Sequence, residues 1–145
     1  MTKNVETNNT TNITCINRAL GIVSEIRYLV EGDIPGGHKL ATKEEGEAIP
    51  DLMKVETVTL DSVFIEHNIS KIDFLKLDCE GSEGEIISSL NSDGWKRIKK
   101  VAIEFHDNRS LLNHDQIMQI LIAEGFTTII HWDGKSYYGY IYGKR

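Results

Sequence analysis

Residues 72–83, with the sequence IDFLKLDCEGSE, constrain the fold of this chain more than any other stretch. Residues 72–79 are mostly apolar, which predicts a strand buried on both faces at the centre of a largely parallel sheet. Lys76, Asp78 and Glu80 recur at every second position, so their side chains leave the strand on the same face. Because buried charge is costly unless it is paired, these residues should lie at the carboxyl end of the strand, where the sheet opens.

The acidic turn that follows is expected to form the edge of a functional site. The strand should end at Gly81, and Ser82 or Glu83 can begin a helix that continues to about residue 90. In open α/β sheets, ligands bind at the carboxyl edge of the strands. We therefore expect the site at this edge.

A second strand is predicted for residues 99–106, where Glu104 and His106 share one face. Helical segments separate it from the first strand, so a right-handed crossover should make the two strands parallel neighbours. Four ionisable side chains would then meet within about 10 Å in a single pocket, namely those of Asp78, Glu80, Glu104 and His106. Neighbouring carboxylates raise one another's proton affinity, which is what a general base near neutral pH needs.

The segments before residue 72 predict a smaller unit beside the main sheet. Short strands are predicted for residues 13–19, 25–30 and 55–60, and the last two should pair as an antiparallel hairpin that stands apart from the main sheet. Residues 32–50, rich in glycine and charge and containing two prolines, predict a loop. Asp61 is the expected cap of the next helix.

The segments after residue 106 predict a helix and a final hairpin. Asn113 or Asp115 can begin the helix, and Gly125 suits its carboxyl-terminal cap. Residues 126–132 and 136–142 flank an Asp-Gly pair at 133–134, which is typical of a type I′ hairpin turn. The tyrosines of this hairpin are expected to pack within it, with stacking against a sugar as the alternative.

Composition and charge bound the class of protein. The 145 residues fit one domain, in which residues 1–12, rich in Asn and Thr, form a disordered tail or linker and residues 13–145 form the folded part. The net charge of -6 and the lack of a basic stripe argue against nucleic acid as a partner. No apolar run is long enough to span a bilayer and no signal peptide is recognisable, so the cytoplasm is the expected location and no membrane partner is expected.

Three stretches together resemble the FkbM family of S-adenosylmethionine-dependent methyltransferases. They are residues 55–62 (VETVTLDS), residues 72–83 and residues 103–106 (IEFH). The resemblance implies an α/β fold, namely a partial Rossmann-like class I methyltransferase fold whose mostly parallel sheet ends in an antiparallel hairpin. Residues 13–145 would be the C-terminal part of such a domain. The implied activity is O-methylation of a hydroxyl on a sugar or natural product.

The resemblance places these residues in the family's motifs, and the needs of methyl transfer, a positioned acceptor and a group that removes its proton, indicate their roles. Asp78, His106 and Glu104 are the candidate catalytic residues, with either Asp78 or His106 as the base. The candidate ligands of S-adenosylmethionine are Asp78, Glu80 and Gly81. No metal is expected, although three carboxylates and a histidine could in principle bind zinc or a harder cation.

The chain departs from the family pattern at its N-terminal side. The family has a glycine-rich loop after its first strand and an acidic residue for the ribose after its second, and neither is found here. We therefore expect the chain alone to bind S-adenosylmethionine weakly or not at all. The alternative function is that of a non-catalytic remnant that binds a partner. An unpaired edge at residues 72–79 could also allow self-association.

Overall fold

The computed structural model describes residues 2–30, 39–41 and 43–145, which form two four-stranded sheets and six helices. The strands are β1 Ala19–Leu20, β2 Ile26–Val30, β3 Lys39–Ala41, β4 Met53–Val58, β5 Leu75–Leu77, β6 Lys100–His106, β7 Thr127–His131 and β8 Tyr138–Lys144. The helices are α1 Thr2–Thr7, α2 Lys43–Glu47, α3 Leu60–Glu66, α4 Glu83–Ser88, α5 Ser92–Lys96 and α6 His114–Ala123. The α/β fold is confirmed.

The first sheet has the strand order β1-β4-β2-β3. β2 and β4 are antiparallel, which confirms the predicted pairing of residues 25–30 with 55–60 in a unit apart from the main sheet. The strand predicted for residues 13–19 is wrong except at its last residue, because Ile13 is half exposed and only Ala19 and Leu20 pair with β4. The hairpin is thus flanked by two very short strands.

The predicted loop at residues 32–50 is wrong in part. β3 pairs with β2, and α2 follows it. Two such short elements are hard to recognise among glycines and charged residues, because neither is long enough to show a periodic pattern. Residues 31–38 and 42, on which the rest of this prediction falls, lie outside the described residues.

The second sheet has the order β5-β6-β8-β7 and carries the candidate site. β5 and β6 are parallel neighbours, as predicted, whereas β8 is antiparallel to both β6 and β7. Two predictions are wrong. β5 lies at the edge of its sheet in the described structure, not at its centre, and each sheet contains one parallel pair, so neither is mostly parallel. The apolar pattern of residues 72–79 does not reflect burial on both faces, since Phe74 is 57% exposed.

One face of the second sheet carries the hydrophobic core. Its inward side chains pack against apolar side chains of α3 to α6, and the largest fully buried ones are Phe64, Phe105, Ile86, Ile87, Ile98, Ile103, Ile117, Leu121 and Ile141. Burying one such side chain stabilises the fold by about 1.5–3 kcal/mol. The opposite face of the sheet is open, and it holds Tyr140 and Tyr142 of β8.

Side-chain caps fix the starts of three helices. The Thr59 hydroxyl caps α3 by accepting the Ser62 N–H, so the prediction that Asp61 is the cap is wrong. The Asp61 carboxylate instead accepts the backbone N–H of Asn91, whose own side chain caps α5. Asn113 caps α6, as one of the two predicted starts, in a reciprocal capping box with Gln116.

The turns around the last two strands differ from the prediction in detail. Gly125 follows the cap of α6 with φ +87°, as predicted. A type I′ turn needs positive φ at both central residues, whereas only Gly134 of the pair has one, so that turn type is wrong. The Asp133 carboxylate instead accepts the backbone N–H groups of Ser136 and Lys135, and these bonds lower its pKa to about 2.

The N-terminal segment forms α1, which buries no residue, where a tail was expected. None of the helices in the described ranges is long and apolar enough to cross a membrane.

Candidate active site

The carboxyl ends of β5 and β6 lie side by side and carry the residues predicted for the site. Lys76 is opposite Ala102 in the parallel register. Asp78 and Glu104 follow two residues later in each strand, so they are on the same face, which is the open face of the sheet. This places both carboxylates at the edge where the chain leaves the sheet.

The turn after β5 has a left-handed backbone at two successive residues. Glu80 has φ +51° and Gly81 has φ +110°. A non-glycine residue in this region costs on the order of 1 kcal/mol or more, so its surroundings must hold it there. A Cβ atom at Gly81 would lie 2.8 Å from the Cβ of Arg109. Glycine is therefore needed both for the backbone angle and for the close approach of the segment after β6.

The buried carboxylate of Glu83 holds this turn. Glu83 begins α4, and its side chain has no solvent exposure. Its Oε1 accepts the Cys79 N–H at 2.7 Å and its Oε2 accepts the Gly81 N–H at 3.0 Å. A buried charge needs such partners, because an unpaired one would cost several kcal/mol.

His106 lies between two carboxylates at the end of β6. Its Nδ1 is 3.3 Å from Glu83 Oε1, and its Nε2 is 3.8 Å from Glu80 Oε2. The hydrogen bond to Glu83 raises the pKa of His106 above its ordinary value, against the opposing effect of burial. One ring nitrogen is thus fixed inside the protein while the other faces the site.

Two further acidic residues of the site, Glu80 and Asp78, are bound by basic side chains. Glu80 Oε2 accepts a hydrogen bond of 3.2 Å from Arg109. Asp78 accepts one of 2.7 Å from Lys76, which holds the pKa of Asp78 below its usual value, with smaller contributions from Glu104 and His106. The side chains that form these two bonds are partly exposed to solvent, so the bonds orient the carboxylates more than they stabilise the fold.

A cavity of about 540 Å³ opens between these residues and the final hairpin. Its walls are formed by acidic, basic, amide, hydroxyl and aromatic side chains, namely Glu80, Glu104, His106, Asn108, Arg109, Lys135, Ser136, Tyr137 and Tyr138. This volume is within the usual range of small-molecule sites, roughly 300–1,000 Å³. The cavity therefore has the size and the polar lining of a small-molecule site, with a histidine in its wall.

Three of the predicted site residues, Glu80, Glu104 and His106, line this one cavity. Asp78 lies close enough to Glu104 and His106 for both of them to lower its pKa, but it does not line the cavity. Gly81 shapes the turn, and its N–H is bound by Glu83.

Sequence reasoning missed Glu83 and Arg109. The local pattern marks Glu83 only as a possible helix start. The signal that could have revealed it is an acidic residue three positions after Glu80 and two positions after Gly81. No comparable signal marks Arg109, which reaches the site only because the chain folds back after β6.

Within the described ranges, no group of three or more histidine, cysteine or acidic side chains is arranged to hold a metal ion. Lys76 and Arg109 bind two of the carboxylates that a metal would require.

Comparison with known proteins gives one family and two relatives. The family described as "Methyltransferase FkbM domain" matches residues 4–142. The 31-O-demethyl-FK506 methyltransferase FkbM of Streptomyces tacrolimicus is 31% identical over 81 residues, which cover 56% of this chain and 30% of that protein. The AMB antimetabolite synthetase AmbE of Pseudomonas aeruginosa is 26% identical over 115 residues, covering 74% of this chain and 5% of that protein.

The chain therefore spans less than a third of the length of either relative. No solved structure matches it.

Proposed function

The chain belongs to the family of FkbM methyltransferases, and on this basis we propose that it transfers a methyl group to a hydroxyl oxygen of a sugar or natural product. The family resemblance predicted from residues 55–62, 72–83 and 103–106 is confirmed. The name of the Streptomyces relative, a 31-O-demethyl-FK506 methyltransferase, supports oxygen as the accepting atom. The observation that carries the proposal is the placement of His106 in the cavity wall, with one nitrogen on a buried carboxylate and the other 3.8 Å from Glu80, which lines the same cavity.

His106 is the better candidate for the base, of the two that the sequence left open. The hydrogen bond from Lys76 lowers the pKa of Asp78, so its carboxylate is a weak proton acceptor. The His106 pKa is raised instead, which makes its neutral form a stronger base. His106 Nε2 would take the proton of an acceptor hydroxyl, and the Glu104 carboxylate at the same cavity would orient that hydroxyl.

The implied cofactor is S-adenosylmethionine, which when bound would supply an activated methyl group on a positively charged sulfonium. Glu80 and Glu104 line the cavity and can balance such a charge, and Asp78 lies next to Glu104. Tyr137 and Tyr138 offer aromatic surface to an adenine or a sugar ring. Gly81 is not suited to a direct contact with S-adenosylmethionine, because its N–H is bound by Glu83 and the side where a Cβ would lie is filled by Arg109.

The finer fold assignment belongs to the same proposal. A parallel pair β5–β6 followed by the antiparallel strands β8 and β7 supports a partial Rossmann-like class I fold in the second sheet. In such folds the ligand lies at the carboxyl ends of the parallel strands. The cavity beside His106 is at that position.

The test is an assay of methyl transfer from labelled S-adenosylmethionine to a panel of sugars and hydroxylated natural products. His106→Gln should lower the rate on the accepted substrate at least about 100-fold, as loss of a general base does. His67→Gln is the matched control, since His67 is an exposed residue at the end of α3. A His106→Gln protein with the full rate would overturn the assignment of the base. If the protein binds S-adenosylmethionine but methylates no hydroxyl acceptor in the panel, O-methylation itself is contradicted, whereas a protein that does not bind the cofactor would support the alternative of a non-catalytic remnant.

A further inference from the structure

We propose that Glu83 is a positioning residue, whose single buried carboxylate fixes both the orientation of His106 and the turn that carries Glu80. Its catalytic consequence rests on the proposed function, whereas its effect on His106 does not. Glu83 contacts no part of the cavity, so it would act only through these two neighbours.

The geometry uses both oxygens of Glu83. Oε1 lies 2.7 Å from the Cys79 nitrogen and 3.3 Å from His106 Nδ1, and Oε2 lies 3.0 Å from the Gly81 nitrogen. The two backbone groups can only donate, so an ionised carboxylate satisfies them. The third contact then requires a hydrogen on His106 Nδ1.

That requirement sets the tautomer of the neutral imidazole. With its hydrogen on Nδ1, His106 has a free electron pair on Nε2, which is the nitrogen on the side of Glu80. A carboxylate that holds a histidine in this form is the arrangement by which a base is prepared for proton transfer. Without Glu83, the ring could rotate or take the other tautomer.

The same carboxylate supports an unfavourable backbone. Glu80 has a positive φ, and the residues on both sides of it donate their N–H groups to Glu83. These bonds hold the turn in the form that brings Glu80 within 3.8 Å of His106 Nε2. One side chain therefore couples the position of the base to that of its neighbouring acid.

The charges around His106 come from every element that packs on it. Glu83 of α4 is the strongest influence, followed by Glu80 of the turn and Glu104 of β6. Asp78, at the end of β5, also interacts with His106, and Tyr138 of β8 is its partner in the strand register. Arg109 offsets part of the charge of Glu80. Removing the charge of Glu83 should therefore have the largest single effect on the titration of His106.

The test measures the titration of the His106 ring by NMR in the complete protein without substrate. Glu83→Gln should lower the pKa of His106 by about one unit or more, as expected for loss of an adjacent opposite charge. Glu85→Gln is the matched control, because Glu85 is on the same helix but pairs with Arg27. An unchanged titration in folded Glu83→Gln overturns the proposal, and so does an equal shift in the control.

Two further measurements keep the proposal testable. If Glu83→Gln does not fold, the NMR nitrogen shifts of His106 in the unaltered protein test the proposal. A neutral ring with its hydrogen on Nε2 would contradict the role of Glu83. If methyl transfer is measurable, Glu83→Gln should move the midpoint of the rising, acid-side limb of the pH–rate profile to lower pH, which a purely structural role would not do. A Glu83-dependent titration in a protein without methyltransferase activity would refute the proposed function alone.

Discussion

At the scale of single residues, the turn at Gly81 depends on glycine for two separable reasons. Gly81 has φ +110° and a Cβ there would overlap Arg109, whereas Gly125 has φ +87° with open space around it. Gly81→Ala should destabilise the protein by about 2–4 kcal/mol and Gly125→Ala by about 1 kcal/mol, since only the first adds overlap to backbone strain. Urea unfolding of both variants measures the difference. Equal losses would show that the contact with Arg109 relaxes freely.

A second prediction at this scale concerns stability and pH. The pKa of His106 is raised in the folded protein by its bond to Glu83. Its protonated form therefore contributes stability that is fully present below about pH 6.5, the unfolded value, and is lost as the pH rises through the higher folded value. The difference in unfolding free energy between the unaltered protein and His106→Gln should accordingly shrink as the pH rises from 5.5 to 9. A difference that grows with pH would mean that folding lowers the pKa of His106, which contradicts the prediction.

The sequence predicted the residues that strand geometry controls and missed those that tertiary contacts bring in. Period-two spacing and a parallel crossover were enough to place Asp78 and Glu104 on one face. The burial of Glu83 could not be seen in the same way. Acidic residues at helix starts are ordinarily solvated, and only the approach of His106 and the turn explains why this one is enclosed.

At the scale of elements, the clearest lesson comes from β5. Its apolar residues predict a central strand, but the strand is three residues long and pairs only with β6 among the described strands. Apolar composition cannot distinguish a core side chain from an exposed one such as Phe74. Pairing partners, which decide between edge and centre, depend on distant segments that the local pattern does not contain.

The capping box of α6 provides a prediction for one element. Asn113 accepts the Gln116 N–H at 2.9 Å, while the Gln116 side chain accepts the Asn113 N–H at 3.0 Å. Asn113→Ala removes the first bond and should cost about 1 kcal/mol of unfolding free energy. Gln119→Ala, in the exposed middle of the same helix, should cost nothing measurable, because alanine is the better helix former. A loss at residue 119 as large as that at 113 would contradict the role of the cap.

At the scale of the whole molecule, Arg27 ties the two sheets together. It lies on β2 with only 7% exposure, and its Nη1 is 2.7 Å from Glu85 Oε2 of α4, which packs on the second sheet. Its Nε also binds Glu25 at 2.8 Å. Because Glu25 and Glu85 keep some contact with solvent, these ion pairs should contribute less to the free energy of unfolding than fully buried ones. The sequence offered no indication of this link, since 58 residues separate Arg27 from Glu85.

Arg27→Met should therefore weaken the first sheet more than the second. Breaking a buried pair costs about 3–5 kcal/mol, and the partial exposure of Glu85 reduces the expected loss here to about 2 kcal/mol. Arg18→Met is the control, because Arg18 pairs with a half-exposed Glu66 and should cost under about 1 kcal/mol. Hydrogen exchange locates the effect: the amides of β2 and β4 should lose protection while those of β6 and β8 keep theirs, since the larger core lies on the second sheet. Uniform loss across both sheets would mean that they unfold as one unit and that Arg27 does not merely join them.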